Sequence, residues 1–346
     1  MANYYSGRDA KVVHITQSTF GTDEAMSTAG AIKGTSAFDI EHDLNVREAD
    51  MVTGQRWRVQ ADTRTDQNEA MPTIGEDGVV FKNNLSDQLY QHFQNVDDVT
   101  GGDEPKIFTY HATQPDFTSS AGYFEQLVLQ NVDVDSDVVF KDCVAQEVVF
   151  SVEPRGELQF STTHNSRGSG SANAEYTGTA TRVSVGSYHF TGLSEHSVNG
   201  VSFNPIGPIE VTCSQVVQAV GIDALGDGRF ETFLLTDKSA TFKAKINFDQ
   251  AARNLKHNYV NDQPVDILMG WGSKTNGVPA VGSVDGDLHF SGSAKVTSWK
   301  EDLSEAYGID VEFSFYGLQT GDAALTHGRT TSPIEIRMAD GIVKGY

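Results

Sequence analysis

The chain has 346 residues, with 25 Lys and Arg against 47 Asp and Glu, a formal net charge of −22 at pH 7. That length accommodates two domains of ordinary size. So acidic a balance excludes a protein that grips nucleic acid through clustered Lys and Arg, yet it suits one past which a polyanion slides without sticking. The opening MANYYSGRDAKVVHI has no apolar stretch of the kind a Sec-type signal peptide needs. No segment approaches the roughly 20 apolar residues of a membrane-spanning helix. Two cysteines, Cys143 and Cys213, are too few for a disulfide framework. Both sit in strand-like surroundings and are expected as buried free thiols in a chain folded in a reducing cytoplasm.

Taken in chain order, apolar residues recur with period two, the mark of strands with one wet face. Phe38, Ile40, Leu44 and Val46 alternate with Asp39, Glu41, Asp43 and Asn45, and Trp57, Val59 and Ala61 alternate with Arg58, Gln60 and Asp62. Ser86 is placed to cap a short helix with Leu85, Leu89, Tyr90 and Phe93 on one stripe. Asp97, Asp98, Asp103 and Glu104 mark a solvated loop. From Asp142 to Thr163 the alternation is strict on both sides of a Glu153-Pro154-Arg155-Gly156 turn. Val148, Phe150 and Val152 precede it and Leu158, Phe160 and Thr162 follow, which predicts a β-hairpin with a buried face.

Small polar residues dominate from Thr162 to Thr181, predicting a linker or an exposed loop. Further on, Ala240, Phe242, Ala244 and Ile246 alternate with Thr241, Lys243 and Lys245. A second short helix follows, capped by Asp249, with Phe248, Ala251, Ala252 and Leu255 on its face. The stretch from Gly270 to Gly286, Trp271 included, reads as a long loop. Ile309, Val311, Phe313 and Phe315 then alternate with Asp310, Glu312, Ser314 and Tyr316, echoing the central hairpin. Gly156 and Gly308 lie 308 − 156 = 152 residues apart, and the helix centres Leu89 and Ala251 lie 251 − 89 = 162 apart. Offsets this similar predict an internal duplication, with halves 1–165 and 166–346. The fold class is therefore all-β to α+β, with one short helix flanking the sheet in each half.

Motifs that carry chemistry are sparse. Asp133, Asp135 and Asp137 share one strand face, but Val138 stands where a calcium loop needs Gly. Asp223 to Gly228 has Leu225 and Leu234 in place of ligands, so Asp227-Gly228 reads as a hairpin turn. Gly30 to Ser36 holds phosphate-loop residue types in the wrong order. No H-E-x-x-H and no G-x-S-x-G occurs. Carboxylates are plentiful enough for glycoside hydrolysis, but nothing singles out a pair. No catalysis, metal or cofactor is expected.

The segment from Phe140 to Leu158 combines a Cys143 step, a hydrophobic strand, the acidic-Pro-Gly turn and a second strand. It resembles a hairpin that recurs in the tail tube proteins of long-tailed, non-contractile bacteriophages. Asp142 stands where that pattern leads one to expect Gly. Tyr5-Ser6-Gly7-Arg8-Asp9-Ala10 looks like the family's N-terminal arm, and Tyr307 to Gly317 resembles the closing strand of its tube domain.

The resemblance implies tandem β-sandwich tube domains that self-assemble into rings stacked as a hollow tube in the virion tail, assembled in the host cytoplasm. A duplicated member implies a trimeric ring with pseudo-sixfold symmetry, the hexamer being the other ring order. The implied partners are rings above and below, tail terminator, tape measure and tail tip proteins, with DNA passing the lumen without specific binding. Asp39, Glu41, Asp43, Asp62 and Asp66 are the expected lumen-facing acids. Tyr4, Tyr5 and Arg8, Trp271 in its loop, and Arg337 in the C-terminal tail are the expected inter-subunit arms. The competing reading is a two-domain β-sandwich binding module, an adhesin or carbohydrate-binding virion protein, using Trp271 as a sugar platform; Trp57 and Trp299 are weaker platforms.

Overall fold

The structure, a computed structural model, describes residues 10–33, 35–41, 45–48, 63–66, 71–82, 86–93, 96–98, 105–110, 124–130, 137–169, 175–182, 185–221, 231–272, 288–302, 308–317 and 332–339. In chain order the first half holds β1 (Lys11–Thr16), β2 (Gly30–Ile32), β3 (Thr35–Glu41), β4 (Asn45–Glu48), β5 (Thr63–Asp66), β6 (Thr73–Val79) and β7 (Phe81–Lys82). It continues with α1 (Ser86–Phe93), β8 (Val96–Asp98), β9 (Pro105–Thr109), β10 (Glu125–Gln130), β11 (Val138–Val152) and β12 (Leu158–Asn165). Then follow β13 (Gly168–Ser169), β14 (Ala180–Arg182), β15 (Val185–Ser187), β16 (Leu193–Val198), β17 (Val201–Ser202), β18 (Pro205–Val220) and β19 (Thr232–Asn247). The chain closes with α2 (Gln250–Val260), β20 (Val265–Trp271), β21 (Leu288–Asp302), β22 (Gly308–Phe315) and β23 (Glu335–Ala339). Strands dominate, as the alternation predicts, and the described residues form two α-helices.

Eight strands make one long antiparallel sheet in the order β3–β6–β12–β11–β18–β19–β22–β21. Its apolar face carries two shorter sheets. The first runs β14–β2–β1–β10–β11–β13, antiparallel apart from β14–β2. The second runs β17–β16–β20–β21–β23–β9–β8. Strands β11 and β21 each serve two sheets. β11 pairs with β10 up to Cys143 and with β12 from Val144, while β21 changes from β20 to β22 at Ala294. A bulge of one residue follows each change, Gln146 in β11 and Thr297 in β21. A bulge bends its strand, which is what passing between sheets requires.

The pairing scheme occurs twice. β1–β10–β11–β12–β6–β3 and β16–β20–β21–β22–β19–β18 share order and sense, with α1 after β6 and α2 after β19. Sheet hydrogen bonds also join the halves, β11 to β18 and β9 to β23.

The main core lies between the long sheet and the second short one. Phe150, Phe160, Phe242, Phe290 and Phe313 fill it, with the Phe150 and Phe290 rings edge-on at 5.0 Å. α1 adds Leu89 and Phe93, and α2 adds Ala252 and Leu255. Asp249 caps α2 as expected, its Oδ1 accepting from the Ala252 N–H at 3.0 Å. Under the first short sheet Val12, Ile74, Leu127, Leu129, Phe140 and Cys143 form a second cluster, with Phe38 and Ile40 packed on it.

Several local expectations are corrected. The stretch beginning at Thr162 is no linker at its start: Thr162, His164, Asn165 and Ser166 are buried, and β12 runs on to Asn165. Ser166 Oγ donates to the Lys141 carbonyl at 2.8 Å, and Asn165 Nδ2 donates to Gln146 Oε1 at 2.7 Å. The expected strand over 38–46 is two strands, β3 and β4, and β4 pairs with β5 in a separate sheet. Phe248 is exposed beneath the Arg253 guanidinium instead of on the buried face of α2. Asp137 is buried and accepts from the Tyr176 N–H at 2.7 Å. Trp57 to Ala61, Asp133, Asp135 and the segment 223–228 lie outside the described residues.

Candidate functional site

Alternation in the long sheet decides what its second face carries. Val148, Phe150 and Val152 are buried against the core, so their neighbours turn the other way. Across the sheet that outward face presents Asp39 and Glu41 of β3, Asp77 of β6, Glu147 of β11, Glu210 of β18, and Asp310 and Glu312 of β22. Its described lysines, Lys243, Lys245, Lys295 and Lys300, all belong to the second half. Lys243 Nζ lies 3.3 Å from Glu210, and Lys245 Nζ lies 3.5 Å from Asp302.

Two expected lumen acids, Asp39 and Glu41, are exposed on this face. Asp66 lies in β5, opposite Asn45 in the small separate sheet, and Asp43 and Asp62 lie outside the described residues. The sequence reading missed Asp77, Glu147, Glu210, Asp310 and Glu312 as members of the same face. For Glu210, Asp310 and Glu312 the signal was present in the alternation, since each sits between buried apolar residues of its strand; Asp77, between Glu76 and Gly78, and Glu147, beside the bulge residue Gln146, gave no such signal.

The expected arms fare differently. Tyr4, Tyr5 and Arg8 lie outside the described residues. Trp271 is not in a loop: it ends β20, is 3% exposed, packs its ring 5.8 Å from that of Tyr188 and donates Nε1–H to the His189 carbonyl at 2.8 Å. A ring so enclosed offers no sugar platform. Arg337 is held in β23 between β21 and β9, opposite His289 and Ile107, with its guanidinium on Glu335. It belongs to a paired strand and not to a free tail.

The long sheet has two edges. β3 bonds to β6 on one side, and residues 295–302 of β21 bond to β22 on one side. Neither takes a second strand partner among the described residues. Open edges of this kind invite pairing with another chain.

One buried group is unlike the rest of the core. His14 Nδ1 lies 3.0 Å from Glu125 Oε1, and its Nε2 lies 3.1 Å from Glu76 Oε2. His164 Nε2 approaches the same Glu125 oxygen at 3.3 Å. Thr35 Oγ1 donates to Glu76, and Lys33 is buried nearby. Burial disfavours a charged His14, but the carboxylates of Glu76 and Glu125 outweigh both burial and Lys33 and raise its pKa to about 8. Burial likewise opposes ionised Glu76, yet His14, Lys33 and Thr35 bring its pKa down to about 2. Glu125 is lowered as well, burial being overcome by Lys33 and His14. Protonated His14 thus bridges two buried carboxylates.

The groups form a chain bridged by His14 and do not surround a common centre. Among the described residues no group of three or more His, Cys, Asp or Glu is arranged to hold a metal ion. Burial pushes the Cys213 thiol up to about 12 and that of Cys143 well above its ordinary value, so neither is a poised nucleophile. Burial lowers the pKa of His92, beside the Tyr110 hydroxyl, to about 3. The chain matches no family model, and no curated protein matches it.

Proposed function

We propose that this protein is a structural subunit that assembles with copies of itself into stacked rings, forming the hollow tail tube of a long-tailed, non-contractile bacteriophage. The observation that carries the reading is the long sheet: its outward face is rich in carboxylates, and neither of its edges takes a second strand partner among the described residues. Joined edge to edge, such sheets enclose a bore whose wall repels phosphate, so DNA passes without being held. The pairing scheme occurs twice per chain, and three copies supply six such units, which favours a trimeric ring with pseudo-sixfold symmetry over a hexamer. The family resemblance gains support from Asp142, whose φ of 53° is the left-handed conformation in which Gly is the expected residue.

Electron microscopy of the purified protein, with sedimentation over a rising concentration series, tests the proposal. Rings or tubes with an open lumen are expected. A monomer at every concentration would sink it. The alternative of a carbohydrate-binding module loses its best platform with the burial of Trp271.

A further inference from the structure

The internal repeat contains its own instruction for how one copy meets the next. Within the chain, the first half joins the second where β11 pairs with β18: Val149 opposite Thr212, Phe150 opposite Val211, Ser151 opposite Glu210. In the repeated scheme β11 corresponds to β21 and β18 corresponds to β3. These are the strands that take no second partner, among the described residues, at the two ends of the long sheet.

The correspondence extends to single residues. The bulges at Gln146 and Thr297 set the β11-to-β21 offset at 297 − 146 = 151. Thr162 stands opposite Val148 and Glu76, and Val311 stands opposite Trp299 and Ala244, so Glu76 corresponds to Ala244. Phe38 is opposite Glu76 and Ile209 is opposite Ala244, which sets the β3-to-β18 offset at 209 − 38 = 171. β3 even has an irregularity after Thr35 where β18 has one after Pro205.

We infer that the occupant of each open edge is a second copy of this chain, joined by antiparallel pairing of β21 with the β3 of its neighbour, Lys300 opposite Glu41, Glu301 opposite Ile40 and Asp302 opposite Asp39. The inference deepens the ring proposal and rests on it. Charge agrees with this register. Lys300 and Glu41 are both exposed on the outward face, and the register sets them directly across from one another. Asp302 meets Asp39, but Lys245 Nζ lies 3.5 Å from Asp302 and supplies a counter-charge. On the core side Glu301 is already held by Lys256 at 2.5 Å and by the Trp299 Nε1–H at 3.0 Å, beside Ile40 of the incoming strand. In the paired segment β21 brings Lys300 and β3 brings Glu41, and because the two edges are different strands the association is head to tail.

Cysteine cross-linking of the full chain tests the register. Directly opposed residues of antiparallel strands have Cα atoms about 4.5–5.5 Å apart, within disulfide reach. Lys300→Cys and Glu41→Cys replace exposed side chains, and the native Cys143 and Cys213 are buried and stay silent. Mixed and oxidised with copper phenanthroline, the two single variants are expected to yield a linked dimer. One chain carrying both is expected to yield a ladder. Ser298→Cys mixed with Glu41→Cys, displaced by two residues, is expected to link at least tenfold more slowly. In parallel, Lys300→Glu is expected to weaken association severalfold and Glu41→Lys in the same chain to restore it. Wild-type rings in the microscope with cross-linking no faster at 300–41 than at 298–41 overturn the register and leave the ring proposal standing. A wild-type protein that never associates overturns both.

Discussion

The buried cluster makes stability depend on pH in a way that can be worked from its geometry. Protonated His14 donates to Glu125 through Nδ1 and to Glu76 through Nε2, with no solvent around it. Its pKa is about 8 in the fold and 6.5 in the unfolded chain. A group whose folded pKa is raised contributes stability that is fully present below the unfolded value and lost as pH rises through the folded one. The window is therefore pH 6.5 to 8, and the gap of 1.5 pH units is worth about 2 kcal/mol at 1.36 kcal/mol each. Glu76, lowered to about 2 from 4.5, describes the same interaction from the other side. Its larger gap also contains help from Lys33 and Thr35, so the two figures do not add, and His14 sets the scale.

Two assays check this. In histidine-labelled protein the NMR signal of His14 should titrate with a midpoint near 8. Urea unfolding of the wild type and of His14→Gln should differ by about 2 kcal/mol less at pH 9 than at pH 6. Lys238, lowered from 10.5 to about 8 by burial, acts over the neighbouring window of pH 8 to 10.5, which the pH 9 measurement enters, and pushes stability the opposite way. It is present in both proteins and cancels in the difference. A midpoint at or below 6.5, or a difference that does not move with pH, refutes the reasoning.

Two substitutions separate the structure from the sequence reading. Trp271→Ala should cost about 3–5 kcal/mol in urea unfolding, because it empties a core position and removes one of the two hydrogen bonds on the His189 carbonyl; a loss below about 1 kcal/mol would return the ring to an exposed loop. Asp249→Ala removes the cap on the Ala252 N–H and should cost about 1 kcal/mol by the same assay, with helix content otherwise unchanged by circular dichroism. No measurable cost would mean that the α2 terminus is satisfied without it.

Where one face of a strand is buried, the sequence showed it. Val148, Phe150 and Val152, and Ala240, Phe242, Ala244 and Ile246, alternate because every second residue meets the core. Trp271 was misplaced because Gly270 and Gly272 flank it and glycine reads as a breaker. Gly270 is glycine for another reason: a Cβ there would come within 2.6 Å of the His289 ring on the neighbouring strand. The run from Thr162 to Ser166 was misread because its small polar side chains look like a linker, whereas the fold buries them and satisfies Asn165 and Ser166 across strands. The charged cluster left no local trace. His14, Lys33, Glu76, Glu125 and His164 are drawn from distant strands and loops, and each alone resembles a residue on a wet face.

The repeat also shows that the cluster is not something the fold requires. By strand register Glu76 corresponds to Ala244, and His164, opposite Ile74, corresponds to Phe313, opposite Phe242. At these two positions the second half carries apolar side chains. Buried ion pairs rarely stabilise more than apolar residues of similar volume, so what the cluster adds to the fold is pH dependence in preference to stability. The same comparison bears on the edges. The junction sealed within the chain is apolar on its core side, Phe150 against Val211 and Val148 against Cys213. At the proposed junction between copies, Glu301 takes the core-side position of Phe150, and on the outward face Lys300 takes that of Val149. An edge that is always covered can be greasy. An edge that must wait in water for its partner needs charge, which keeps the free subunit soluble and rejects strands without the matching charge.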